Sequence, residues 1–251
     1  MLEAKIKRNN MEQRKLRPRL TAEEYEWLLS KRKSSKRNVL VIGDLHEPFC
    51  LDGYLEFNKE LYEKYDCTDV VFIGDIIDNH YSSYHESDAD GMGGGDELNL
   101  AIEKIAKWRD AFPKATVIIG NHDRIIMRKA QTGSIPRRWI RDFKEVLETP
   151  NWEFTESLIL DDVLYIHGET GTARSKMKKE LHSVVQGHRH SEAYIDYLVG
   201  ANYKIFGVQV GCGIDRKSYA MAYAKYGAKP AIGSAVILDN GKLPMNILME
   251  L

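Results

Sequence analysis

The chain has 251 residues, 43% of them hydrophobic and 29% charged, with a formal net charge of −1. That length suits one large domain or two small ones, and the composition excludes a disordered polyelectrolyte. No apolar run approaches the ~18 residues of a membrane helix, and the basic N-terminus lacks the apolar block of a signal peptide. A cytoplasmic, intracellular protein is expected, with no membrane partner.

The small net charge hides an asymmetry. Residues 1–38 hold 12 Lys/Arg and five Asp/Glu, leaving a net of −8 on the remainder. Residues 1–37 read as a basic arm and 38–251 as the main domain. Thr21-Ala-Glu-Glu24 has the form of a capping box, so a short helix is expected through Leu29, followed by a Lys31–Arg37 linker. Such an arm can contact nucleic acid, or it can be solvated or packed on its own acidic body; the sequence leaves these open.

From Asn38 the pattern runs strand, loop, helix. Strands are expected at Val39–Ile42, Val70–Ile73 and Thr116–Ile119, with helices at about Asp52–Tyr65 and Glu97–Ala111. Continuous apolar runs separated by helical patterns imply parallel strands in βαβ units. A helix is expected near Pro136–Leu147. Strands follow at Ser157–Leu160 and Val163–Ile166 around an Asp161-Asp162 turn, then at Ser183–Gln186, Lys204–Val210 and Gly233–Leu238. The fold class is α/β, with two mixed β-sheets packed together and helices outside. Residues 79–96 are polar and glycine-rich, and a loop of that length is usually functional or disordered. The three cysteines, Cys50, Cys67 and Cys212, lack paired spacing, which argues against disulfides and a cysteine zinc site.

Five of the eight histidines fall in tight motifs at strand ends. They are His46 in Gly-Asp-Leu-His, His122 in Gly-Asn-His-Asp, His167 in His-Gly, and His188 and His190 in Gly-His-Arg-His. Asp44 and Asp75 each follow an apolar strand and a glycine. Ligands bind beyond the carboxyl ends of strands in open α/β sheets, so these residues and Asn121 can converge on one rim. Imidazole with carboxylate and amide oxygen suits Zn, Mn or Fe better than Ca or Mg. Seven such groups exceed one coordination sphere and suit two metals, which together can clamp a phosphoryl group for in-line displacement by hydroxide.

Gly43-Asp-Leu-His46, Gly74-Asp-Ile-Ile-Asp78, Gly120-Asn-His-Asp123, His167-Gly168 and Gly187-His-Arg-His190 resemble the five signature blocks of the calcineurin-like metallophosphoesterases. The resemblance spans about residues 38–190. It implies a four-layer αββα sandwich and two divalent transition-metal ions, Mn first, with Fe, Zn or Ni as alternatives. It implies one metal on Asp44, His46, Asp75 and His190, and another on Asp75, Asn121, His167 and His188, with Asp75 bridging. His122 would face the scissile oxygen as a catalytic histidine, with Asp123 orienting it. A phosphoester is the implied substrate, attacked in line by a metal-bridging hydroxide.

Asp78 is followed by Asn79-His80, where the protein-phosphatase branch has Arg-Gly, and the third block ends in Asp123 instead of Glu. A phosphodiesterase or nuclease acting on nucleic acid or nucleotides is therefore favoured. A phosphomonoesterase, including a phosphoprotein phosphatase, and a non-catalytic module on the same fold are the alternatives. The last block, joined to Val208-Gln-Val-Gly-Cys-Gly213, is similar to small phosphoesterases of bacteria and phages. His80, Tyr84 and His85, just after the second block, and Arg189 are candidate substrate contacts. Arg124, Arg128, Lys129, Arg137 and Arg138 form either a track for a polyanion or a solvated helix face. Composition says nothing of oligomeric state.

Overall fold

Side chains of β1 (Val39–Ile42) alternate between two separate cores, as the period of two in a strand requires. Leu40 and Ile42 face one core, and Val39 and Val41 the other. A strand buried on both faces sits in the middle of a layered structure. The computed structural model describes residues 36–84, 90–218 and 229–250, with Thr21 and Glu23. The chain divides into two units, Met1–Lys36 and Arg37–Leu251. The expected capping box and helix of the arm lie largely outside the described residues.

In the larger unit, β1 is followed by α1 (Tyr54–Lys64), β2 (Asp69–Phe72), α2 (Gly94–Ala111) and β3 (Ala115–Ile118). Next come α3 (Ile125–Thr132), α4 (Phe143–Val146), β4 (Trp152–Thr155), β5 (Ser157–Leu160) and β6 (Val163–Ile166). The chain continues with α5 (Ala173–Glu180), β7 (Ser183–Gln186), β8 (Tyr194–Val199), β9 (Lys204–Gln209), β10 (Gly233–Leu238) and β11 (Leu243–Leu248). One sheet has the order β11-β10-β1-β2-β3-β4, and the other β5-β6-β7-β9-β8. Strands β1 to β4 are parallel neighbours, while β10 and β11 are antiparallel. In the second sheet β6, β7 and β9 are parallel, with antiparallel β5 and β8 at its edges.

The two sheets pack through Val39, Val41, Val71 and Ile73 from one and Tyr165, Val185, Phe206 and Val208 from the other. On the far face of the first sheet, Leu40, Phe72 and Val117 meet Tyr54 and Leu61 of α1 and Ile105 and Trp108 of α2. Each large side chain so buried stabilises the fold by about 1.5–3 kcal/mol relative to exposure. Helix α5 covers the outer face of the second sheet, with Ala173 lying against Gly207. The result is the expected α/β sandwich of two mixed sheets flanked by helices.

Local chemistry explains the departures. The region 136–147 is not one helix. Pro136 leads into a 3₁₀ turn, Arg137–Trp139, Ile140 is extended, and Asp142 caps the single turn of α4 by accepting from the Lys144 amide. The 79–96 segment is shorter as a loop than expected, because His80–Ser82 forms a 3₁₀ turn and α2 starts at Gly94. Helix α5 and strands β4, β8 and β11 were not foreseen, and α3 was foreseen only as one of two readings of the basic residues from Arg124 to Arg138. Pro244 fits β11 because that strand is the sheet edge. The Asp161-Asp162 turn has both residues at positive φ, as a two-residue hairpin needs. Arg37, counted with the arm in sequence, belongs to the body: its guanidinium lies 3.3 Å from Asp69 and 3.1 Å from Asp161.

Candidate metal centre

Asp44 follows β1, Asp75 follows β2 and Asn121 follows β3, so three parallel neighbours end on one rim. His167 follows β6, and His188 and His190 follow β7, from the matching ends of the second sheet. Backbone bonds fix the rim: His46 N–H donates to Asp75 O at 2.8 Å, and Asp78 N–H to Glu47 O at 3.0 Å. His46, Asp75 and His188 all have positive φ. Three non-glycine residues in that costly region beside one another mark a place where side-chain aim outweighs backbone comfort.

Two glycines make room for carboxylates. A Cβ on Gly120 would lie 2.1 Å from Asp75 Oδ1, and one on Gly187 would lie 2.4 Å from Asp44 Oδ1. The glycines in these motifs are thus cleared space for acids as well as turn residues.

The donors converge in two groups that share Asp75. In the first, one atom from each of Asp44, His46, Asp75 and His190 lies within 4.8 Å of the others. His46 Nε2 and His190 Nε2 are 3.0 Å apart, and His190 Nε2 is 3.3 Å from Asp44 Oδ2. In the second, His167 Nε2 is 3.1 Å from Asp75 Oδ2, 2.9 Å from Asn121 Oδ1 and 3.2 Å from His188 Nδ1. His46 Nε2 also lies 3.8 Å from Asp75 Oδ2, so this one carboxylate faces both groups.

The donor set fits divalent cations. Among the described residues Asp44 Oδ1 is buried with no hydrogen-bond partner, and His46 Nε2 and His190 Nε2 face each other at 3.0 Å, with room for at most one proton between them. The ring nitrogens on the other side are already used. His46 Nδ1 meets Asp78 Oδ1 at 2.7 Å, and His167 Nδ1 donates to Ile73 O at 3.0 Å, which frees Nε2 as a ligand atom in each. The electrostatics ask for positive charge. Burial opposes charging His167, but Asp75 and Asp44 outweigh it and push its pKa up to about 10. Burial opposes the Asp75 carboxylate, yet His167 holds it well below the usual range. His46 and His188 are lowered, by burial first and then by neighbouring histidines against partial support from carboxylates.

His122 stands beside the first group, and its ring packs edge-on to His46 with centroids 4.7 Å apart. Its Nδ1 donates to the Asp78 carbonyl at 2.6 Å. Burial disfavours its charged form, but Asp75 and Asp78 raise its pKa above the ordinary histidine value. Asp123 does not orient His122 by a hydrogen bond. Its carboxylate instead accepts from the amides of Gly120 at 2.8 Å, Ile76 at 3.1 Å and Ile77 at 3.3 Å, tying the second and third motifs together. Burial, then Asp75, pushes Asp123 up to about 7. Asp123 nevertheless lies close enough to add to the support for the charged form of His122, after Asp75 and Asp78. Asp78, passed over as a partner although it closes the second motif, supports both His46 and His122.

The substrate-side candidates divide. His80 is buried, its ring 3.8 Å from Asp78, and its amide donates to Glu97 at 2.7 Å. Glu97, missed in sequence, holds the 3₁₀ turn from the first turn of α2. Tyr84 is 58% exposed, with Arg128 and Lys129 against its ring. Arg189 pairs with Glu192 at 2.5 Å. Arg124 is held by both Glu156 and Glu169. His85 lies outside the described residues.

Two facing sheets with acidic and histidine loops on one rim form a scaffold whose donor groups suit divalent metals. The sequence profile of the calcineurin-like phosphoesterases matches residues 37–209, and the chain belongs to that family. Solved structures to which the chain is similar include the nuclease MPE of Pseudomonas putida, at 15% identity over 83% of this chain and 86% of that one, with a TM-score of 0.40. They also include Vacuolar Protein Sorting 29 of Cryptosporidium parvum, at 13% identity over 85% and 99%, with a TM-score of 0.41. The phosphoesterase YfcE of E. coli matches at 14% identity over 85% and 100%, with a TM-score of 0.39. No curated protein gives a significant match. No described helix is long and apolar enough to cross a membrane.

Proposed function

We propose that the protein is a dinuclear metal-dependent phosphodiesterase acting on nucleic acid or nucleotides inside the cell. The observation that carries this reading is the pair of donor groups meeting at Asp75, with His122 beside them and outside both. Asp44, His46, Asp75 and His190 would hold one divalent ion, and Asp75, Asn121, His167 and His188 the other, with manganese the favoured metal. When bound, such ions supply Lewis-acid charge to phosphoryl oxygens and make water a nucleophile near neutral pH.

The chain's own residues do the rest. Asp78 fixes the His46 tautomer so that Nε2 faces the first group. The Ile73 carbonyl does the same for His167. His122 spends Nδ1 on the Asp78 carbonyl, which leaves Nε2 to hold a proton for the leaving oxygen. Asp75 and Asp78 favour its charged form, so it also stabilises negative charge there.

Preference for a diester rests on the arginines. A monoester carries more negative charge, and Arg124 and Arg189, which flank the donors in sequence, are both engaged by glutamates. The basic arm, residues 1–37, is read as a contact for the same polyanionic substrate.

The test is hydrolysis of bis-p-nitrophenyl phosphate against p-nitrophenyl phosphate by the manganese-loaded full chain. Faster diester turnover, with loss of both metals or of activity in Asp75→Asn, supports the reading. Faster monoester turnover makes the protein a phosphatase, and no turnover of either leaves a binding module. Deleting residues 1–19 should weaken oligonucleotide binding and flatten its salt dependence. Unchanged affinity and slope would remove the arm from the proposal.

A further inference from the structure

Residues 124–144 hold seven Lys/Arg and one Asp, on a chain whose residues beyond 38 carry a net of −8. This concentration begins where the candidate site ends, because the Ile125 amide that opens α3 donates to the His122 carbonyl at 3.1 Å. Arg124 is neutralised by its two glutamates, and Arg141 lies 3.5 Å from Glu145. Arg128, Lys129, Arg137 and Arg138 are exposed and make no ion pair among the described residues.

Aromatic rings stand among these cations. Trp139 ends the 3₁₀ turn that Pro136 starts, directly after Arg137 and Arg138, and is 82% exposed. Trp108 and Trp152, by contrast, are buried. Tyr84 is the second exposed ring, with Arg128 5.1 Å and Lys129 5.4 Å from its centroid. Between α3 and the turn lies a cleft of about 540 Å³ with Ile135, Ile140 and Phe143 on its walls and Arg128 and Arg137 on its rim.

Cations alone would suit any polyanion. Exposed flat rings set among cations suit one whose own flat faces are free, which is single-stranded nucleic acid; a duplex hides its base faces. We propose that residues 124–144, with Tyr84, form a docking surface for single-stranded nucleic acid. Trp139 stacks on a base, and Arg128, Arg137 and Arg138 contact phosphates. As a route for substrate the inference rests on the phosphodiester reading; as a binding surface it does not.

The test is fluorescence anisotropy of a labelled 15-nucleotide oligothymidylate with the manganese-loaded full chain. It is run in the cold across a salt series, and the oligonucleotide is checked on a gel afterwards. Binding should weaken roughly 5- to 100-fold in Trp139→Ala and be largely kept in Trp139→Phe, since phenylalanine still stacks. The Arg137→Ala/Arg138→Ala variant should lower the slope of log affinity against log salt by about 1.4, at ~0.7 per phosphate contact. Absence of binding by the wild type, equal affinity for a duplex, or indifference to all three variants overturns the surface. Binding of polyglutamate in preference to the oligonucleotide also overturns it and assigns the patch to an acidic protein. Wild-type turnover of the small diester separates the two claims. Turnover without oligonucleotide binding removes the surface alone, and binding without turnover removes the catalytic reading alone.

Discussion

The main-chain oxygen of Asp78 accepts a hydrogen bond from His122 Nδ1 at 2.6 Å. The same residue's carboxylate meets His46 Nδ1 at 2.7 Å. Asp78→Ala keeps the first contact and deletes the second. Its metal affinity, read by titration calorimetry with manganese, should fall about 10- to 100-fold. Unchanged affinity would show that His46 needs no such support.

His122→Ala should keep both metals and lose about 10²- to 10⁴-fold in turnover. The loss should be smaller for nitrophenolate esters than for alkyl esters, because a good leaving group needs little protonation. Metal analysis and a leaving-group series check this. Equal losses across the series would leave charge stabilisation as its whole contribution.

Gly120→Ala forces a methyl group to within 2.1 Å of Asp75 Oδ1 and 2.4 Å of the Asp75 amide nitrogen. Either the third motif or Asp75 must shift. Overpacking of this kind costs about 1–3 kcal/mol, so a lower melting temperature is expected together with loss of metal. A variant that melts and binds manganese as the wild type does would refute the tight fit.

Burial pushes Glu97 from an ordinary value of 4.5 up to about 7. Between these values the folded protein keeps a proton that the unfolded chain has released. Its contribution is therefore fully present below 4.5 and is lost as pH rises through 7, by on the order of 1–3 kcal/mol. Glu97→Gln can still accept from the His80 amide and cannot ionise. Urea unfolding from pH 4.5 to 7.5 should show the wild type losing this increment relative to the variant; parallel curves would count against it.

Most of the strands that carry the site were legible because they are apolar runs ending in glycine and an acid or histidine. Gly43-Asp44, Gly74-Asp75 and Gly187-His188 are local patterns with one physical meaning. Helix α5 was not legible, since its Ala-Arg-Ser-Lys-Met-Lys-Lys-Glu sequence buries only Ala173 and Met177. Strand β8 alternates weakly, with Tyr197 and Val199 exposed. The bracing of the second motif by Asp123 was not legible, because its contacts with the Ile76 and Ile77 amides lie 47 and 46 residues away. Asp78 and Glu97 act through contacts 32 and 17 residues away, which no local pattern records.

The donor cluster draws Asp44, His46, Asp75 and Asn121 from one sheet and His167, His188 and His190 from the other. Its dimensions are therefore set at a distance, by the thickness of the valine-rich layer between the sheets. That layer acts as a spacer gauge: thinning it at Val185 or Val41 would narrow the gap between the two halves of the site. The spacing of the two halves of the donor cluster is thus a property of the core, and not only of the loops that carry the side chains.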